Sequence, residues 1–246
     1  MSIRIFLAGA TGVIGRRLVP LLLEQGHLVT GTTRSAGKAA MLREMGVVPA
    51  VVDVFEAAAL RAAVVAAAPE IVIHQLTDLP AGLDPATMDA ARLRNARLRE
   101  IGTRHLVEAA LAAGARRIVA QSITFLYAPL EEARAWRESD PLDLAATGIR
   151  AASVKGIAAL EASVLQTPGI EGIVLRYGQL YGTGTGAEAP AGNAPVHVDA
   201  AAQAALLALT RGTPGLYNIA EEAGAVDSTK ARRDLGWDAG FRLTQG

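Results

Sequence analysis

Short apolar runs alternate along this chain with longer stretches in which apolar residues recur at helical spacing. Ile3–Ala8 reads as a strand and Val13–Gln25 as a helix that Gly26 ends. His27–Thr32 is the next strand, and Ser35–Met45 a helix stopped by Gly46. Val47–Val52 and Glu56–Ala68 repeat the pair, with Pro69 as terminator. Ile71–His74 leads into a long helix from about Met88 to Ala113. Ile118–Gln121 precedes a helix over Ala151–Gln166, and Gly172–Arg176 precedes one over Val198–Arg211. The strands are continuous apolar runs rather than alternating ones, so both sheet faces are covered. Strand and helix in regular alternation predict an α/β fold, a doubly wound parallel sheet of Rossmann type. Its ligand crevice lies at the carboxyl ends of the strands. No internal repeat and no low-complexity linker interrupts the pattern.

The first strand runs straight into LAGATGVIG, with Gly9, Gly12 and Gly15 ahead of the first helix. Gly9 permits the tight turn, Gly12 removes a side chain where phosphates approach, and Gly15 lets helix and strand pack closely. The free N–H groups and the dipole at that helix start then face an anion. The other reading of the triplet is a glycine turn with no ligand.

Composition narrows the classes. Of 246 residues, 51% are hydrophobic and 20% charged, which is a globular rather than a disordered balance. A formal net charge of zero gives no bulk attraction to nucleic acid or a membrane surface. Cysteine is absent, which excludes disulfides and thiol catalysis and fits a reducing compartment. No metal site is expected. The opening MSIRIFLAGA is too short for a secretory signal, and no run reaches the roughly 18 apolar residues of a membrane span. A cytoplasmic location is the expectation.

Several segments, in order, resemble the extended and atypical short-chain dehydrogenase/reductase superfamily, the NAD-dependent epimerase/dehydratase group. GATGVIG is similar to the GxxGxxG loop, VVDVFE to the adenine-contacting segment, and IVIHQLT to the strand ending in HLAA. GTRHLVEAALAAGARRIVAQSITFLYAP resembles the long helix and central strand with its SSxxVYG end. LRYGQLYGTG, VHVDAAAQAALLAL and STKARRDLGW resemble LRxxNVYGPG, HVDDVAxAxLLAL and KAxxELGW. The resemblance implies a dinucleotide-binding domain over residues 1–178 and a reduced substrate region over 179–246. It implies that Gly9, Thr11, Gly12, Val13, Ile14 and Gly15 hold a pyrophosphate, and Asp53 with Val54 the adenine. Gln75, Leu76 and Thr77 would flank the inner ribose, with Tyr177 and Gly178 beyond the nicotinamide. A small carbonyl, alcohol or sugar-derived substrate and a homodimer through the two long helices are further implications.

The end of the second strand favours NADP(H) over NAD. NAD-preferring members carry an acidic residue there for the ribose hydroxyls, roughly 20 residues beyond the glycine loop. Here Thr32, Thr33 and Arg34 occupy the place, with Lys38 one turn later. An arginine can clamp a 2′-phosphate; alternatively Arg34 is a solvated loop residue.

The usual acid/base machinery departs from the pattern. The superfamily's YxxxK puts tyrosine and lysine on one helix face, and the lysine lowers the phenol's pKa for proton exchange. Lys155 fits the lysine, but Ala151 stands four residues before it. Four before Tyr127 stands Ile123, with Ser122 and Thr124 on either side, and Arg99 takes a frequent asparagine position. Ser122, Tyr127 and Lys155 are therefore the candidate catalytic residues. Tyr127 reads equally as a packed aromatic, and His74 as structural. The functional expectation is an NADP(H)-binding oxidoreductase or epimerase/dehydratase-like enzyme. The alternative is a catalytically silent dinucleotide-binding sensor or scaffold. The resemblance implies longer segments between Tyr181 and Val196 and between Ile219 and Ser228; the short ones here mean either a small substrate lid or lid segments missing from this sequence.

Overall fold

The computed structural model describes residues 2–80, 84, 86–222 and 225–243. The elements follow the chain as β1 (Arg4–Ala8), α1 (Val13–Glu24), β2 (Leu28–Thr33), α2 (Ala36–Glu44), β3 (Val48–Val51), α3 (Ala57–Ala67) and β4 (Ile71–His74). Then come α4 (Met88–Arg97), α5 (Thr103–Ala112), β5 (Arg117–Ile123), α6 (Gly148–Leu165), β6 (Glu171–Tyr177), β7 (Gln179–Tyr181) and β8 (Pro195–His197). The last are α7 (Val198–Leu207), β9 (Gly215–Ile219) and α8 (Thr229–Leu235).

Seven strands form one sheet in the order β3-β2-β1-β4-β5-β6-β9, and every pairing in it is parallel. The chain winds outward from β1 to β3, then returns to place β4 on the other side of β1. That reversal opens a crevice between the carboxyl ends of β1 and β4. The central strands are apolar throughout because helices bury both faces. Ile5, Leu7, Ile73 and Val119 pack on one face with α1 and α7. Phe6, Ala8, Val72 and Ile118 pack on the other with α3, α5 and α6.

Three features depart from the sequence expectation. The long helix is two helices, α4 and α5, joined by one π-helical turn at Leu98–Gly102. Such turns insert a residue into the helical ladder and occur often at functional sites. α6 begins at Gly148, one turn earlier than Ala151. β7 and β8, three residues each, make a separate parallel pair; runs that short carry no readable period. Residues beyond Gly178 supply β9, the sheet's outermost strand, so the sheet draws on both halves of the chain.

Candidate functional site

The glycine turn is built by contact. Gly9 has φ +92°, a conformation glycine adopts freely, and a Cβ there would lie 2.7 Å from the Gln75 carbonyl oxygen. A Cβ on Gly15 would drive into the Gly9 carbonyl oxygen and lie 2.7 Å from that of Ala10, so α1 sits hard against the turn. Gly12 differs: its Cβ would meet only the Gly9 oxygen, at 3.2 Å, which leaves room on the crevice side. Gly12 is the extended N-cap of α1, with no side-chain cap and no acidic residue in the first turn. The first-turn amides and the positive end of the helix dipole are thus left to a ligand.

From this turn a cavity of about 400 Å³ extends over the ends of β1, β2, β3 and β4. Of the expected cofactor residues, Gly9, Thr11, Gly12, Arg34, Asp53, Val54, Gln75, Leu76 and Thr77 line it. Val13, Ile14, Gly15, Tyr177 and Gly178 are outside that lining. Gly15 is buried under the turn, and Tyr177 reaches the cavity only through Gln75, whose amide donates to its hydroxyl at 3.4 Å. Thr33, Ser35, Lys38, Phe55, Asp78 and Leu98 are among the other residues of the wall.

Chemistry divides the cavity. Beyond β2, Arg34 and Lys38 are exposed cations beside Thr33 and Ser35, and the β2–α2 turn holds no carboxylate. Ser35 caps α2 by accepting from the Lys38 amide. Beyond β3, Asp53 accepts the Phe55 amide at 2.9 Å through one oxygen. Beyond β4, Gln75 Oε1 is buried without a partner among the described residues, an acceptor in the wall. His74 has both ring nitrogens in use. Nδ1 accepts the Leu76 amide at 3.2 Å, so Nε2 carries the proton and donates to Thr103 at 2.9 Å. Burial, with Arg99 nearby, holds its pKa down to about 4, so the ring stays neutral and acts as a bracket for the strand end.

The three candidate catalytic residues are not brought together. Ser122 is fully buried, and its hydroxyl donates to Glu161 at 2.8 Å instead of facing the crevice. Its side chain points, like Ile118 and Ala120, toward α6. The Tyr127 hydroxyl donates to Asn218 at 2.6 Å and its ring stacks on Trp136. Burial raises its pKa against the opposing influence of Arg176 and Asn218. Lys155 alone is exposed, with no hydrogen bond or ion pair among the described residues. Around it, Ile123 packs with Val154, Ile157 and Leu126. Where the resemblance implies a hydroxyl and a phenol, the chain presents an apolar patch and Ala151.

Two side chains missing from the expected site form a buried ion pair behind Ser122. Glu161 on α6 takes two hydrogen bonds from Arg176 on β6, at 2.7 and 2.6 Å. A carboxylate within GIAALEASVL and an arginine within a strand buried on both faces are the sequence signals that each needs a partner. Arg150 ties the loop after β5 to α6, donating to the Phe125 and Tyr127 carbonyls and to Asp143.

The sheet order and glycine turn define a Rossmann-type α/β protein. Over residues 5–214 the chain matches the NAD dependent epimerase/dehydratase family, and it belongs to that family. A 3-diazoavenalumate denitrifying reductase of a Streptomyces species is 40% identical over 242 residues, covering 90% of this chain and 77% of that protein. That kinship places the chain on the oxidoreductase side of the family. Among solved structures, the Thermus thermophilus UDP-glucose 4-epimerase in complex with NAD aligns with TM-score 0.75 and 20% identity, over 98% of this chain and 95% of that one. The Bordetella bronchiseptica enzyme WbmG in complex with NAD and UDP aligns with TM-score 0.73 and 17% identity, over 99% and 91%. Both likenesses concern the fold. No helix among the described residues is long and apolar enough to cross a membrane. No group of three or more His, Cys, Asp or Glu suited to a metal ion occurs among them.

Proposed function

We propose that this protein is an NADPH-dependent reductase whose acceptor takes hydride without a proton from the protein, an acceptor of the diazo class. The observation that carries the reading is the pairing of an uncapped α1 start with an apolar patch at the acid/base position. The turn residues Gly9, Thr11 and Gly12 and the α1 amides would hold the pyrophosphate, and Asp53 with Val54 the adenine. Arg34 and Lys38 would take a 2′-phosphate through charge-assisted bonds. A reduced nicotinamide bound there supplies hydride.

The acceptor class follows from what the chain lacks. A carbonyl needs a proton as hydride arrives, and removing the acid forfeits about 100- to 10,000-fold in rate. A diazonium needs none: hydride takes the place of nitrogen on the carbon, N2 leaves with the C–N bonding pair, and the cofactor ends oxidised. The kinship with a denitrifying reductase supports the same class. Lys155 remains available to hydrogen-bond the cofactor's ribose.

The test supplies NADPH and a benzenediazonium salt and follows NADPH loss with arene release, corrected for the uncatalysed reaction. Turnover should be saturable, and Tyr127→Phe should hold kcat within about threefold, since no proton passes through that phenol. Tight NADPH binding without turnover of any acceptor would instead favour the silent binding protein, to which Ala151 and Ile123 also point. Reduction of a ketone that collapses in Tyr127→Phe would contradict both.

A further inference from the structure

Between the ends of β5 and β6, the π-helical turn and α6 lies a set of buried charges that hydride transfer does not use. Glu161 is matched by Arg176 and bonded by Ser122. A second guanidinium, Arg99, is only 6% exposed and has neither hydrogen bond nor ion pair among the described residues. Glu161 and His74 are both near enough to interact with its charge. His74 is neutral with both nitrogens occupied and offers no counter-charge. Among the described residues, Arg176 Nη1 and Thr124 Oγ1 are buried without a partner as well. Two guanidinium charges therefore share one carboxylate, and two buried donor atoms lack an acceptor.

A guanidinium largely withdrawn from water without a partner is unfavourable, and an anion joining the set would match its charge. Arg99 is outside the cavity lining, but its neighbours reach the crevice. Leu98, the preceding residue, lines the cavity, and Asn95, one turn back, accepts the amide of Asp78 in the same wall. The planar fork of arginine fits a carboxylate through two parallel bonds. We propose that Arg99 receives the carboxylate of the acceptor, so that the reductase acts on organic anions. This rests on the reductase reading for the word acceptor; the anion site itself stands on the buried charges.

The test has a binding arm and a kinetic arm. In chloride-free buffer, sodium benzoate should raise the melting temperature in a saturable way, while benzamide and sodium chloride should not. Arg99→Met should abolish that response, and Arg99→Lys, which keeps the charge but not the fork, should weaken it. In the kinetic arm, 4-carboxybenzenediazonium should exceed its methyl ester in kcat/KM by roughly 10- to 100-fold, the weight of a charge-assisted bond pair. Arg99→Met should bring that ratio close to one, through loss of kcat/KM for the carboxylate substrate. A benzoate response that survives in Arg99→Met, or an equal response to chloride, overturns the carboxylate assignment. If neither diazonium salt turns over and the benzoate response still depends on Arg99, the reductase reading fails and the anion site holds.

Discussion

Glu161→Gln should lower the unfolding free energy by about 3–5 kcal/mol, the range for breaking a buried ion pair by removing one partner. Arg176 is 3% exposed, and Glu161 is its ion-pair partner, with N–O separations of 2.6 and 2.7 Å. Burial alone would depress the Arg176 pKa, but the bonds and charge of Glu161 outweigh it and raise it. With the carboxylate gone, that guanidinium would be charged and dry, and the amide oxygen left in its place could serve Arg176 or Ser122 only without a countercharge. Denaturant unfolding of Glu161→Gln beside the double variant Glu161→Gln/Arg176→Met separates pairing from packing. The double variant should recover much of the loss, because it removes the stranded charge. A single variant within about 0.5 kcal/mol of wild type would mean that the pair is hydrated in solution.

Gly15→Val should abolish saturable NADPH binding. Its Cβ would enter the space of the Gly9 carbonyl and come within 2.7 Å of the Ala10 carbonyl, both of them backbone that cannot turn aside. The turn must open, and the α1 amides then lose their aim. Because that shift also loosens α1 on the sheet, Gly12→Ala is the informative companion. Its Cβ meets only the Gly9 oxygen at 3.2 Å, so the fold should survive while the phosphates lose their close approach. An unchanged melting temperature with NADPH affinity reduced more than about tenfold, or about 1.4 kcal/mol, is the expected result by fluorescence titration. Undiminished binding in both variants would place the cofactor away from this turn.

Much of this was legible from the residues in order. The glycine spacing, the apolar strands and the alternation specify the doubly wound sheet, because each is a local consequence of how a parallel sheet is covered. The crevice lining was legible for the same reason: Gly9, Arg34, Asp53 and Gln75 each follow a strand and so reach the same edge. The acid/base side was not. Ala151 and Ile123 announced a departure, but the partners that fix Ser122 and Tyr127 lie 39 and 91 residues away. No periodicity links such distant positions. Glu161 and Arg176 are only 15 residues apart, yet the helix and strand that carry them meet only once the crossover is closed. In the sequence Arg99 stands out only for the asparagine it replaces; its place among buried groups is a property of the folded chain alone.

Titration of the wild-type protein with NADPH and NADH, followed by nicotinamide fluorescence, bears most directly on the crevice at the first glycine turn. NADPH should bind saturably and at least tenfold tighter than NADH, and Arg34→Ala should erase most of that difference while leaving NADH nearly unchanged. No saturable signal with either dinucleotide would contradict the assignment of this crevice outright.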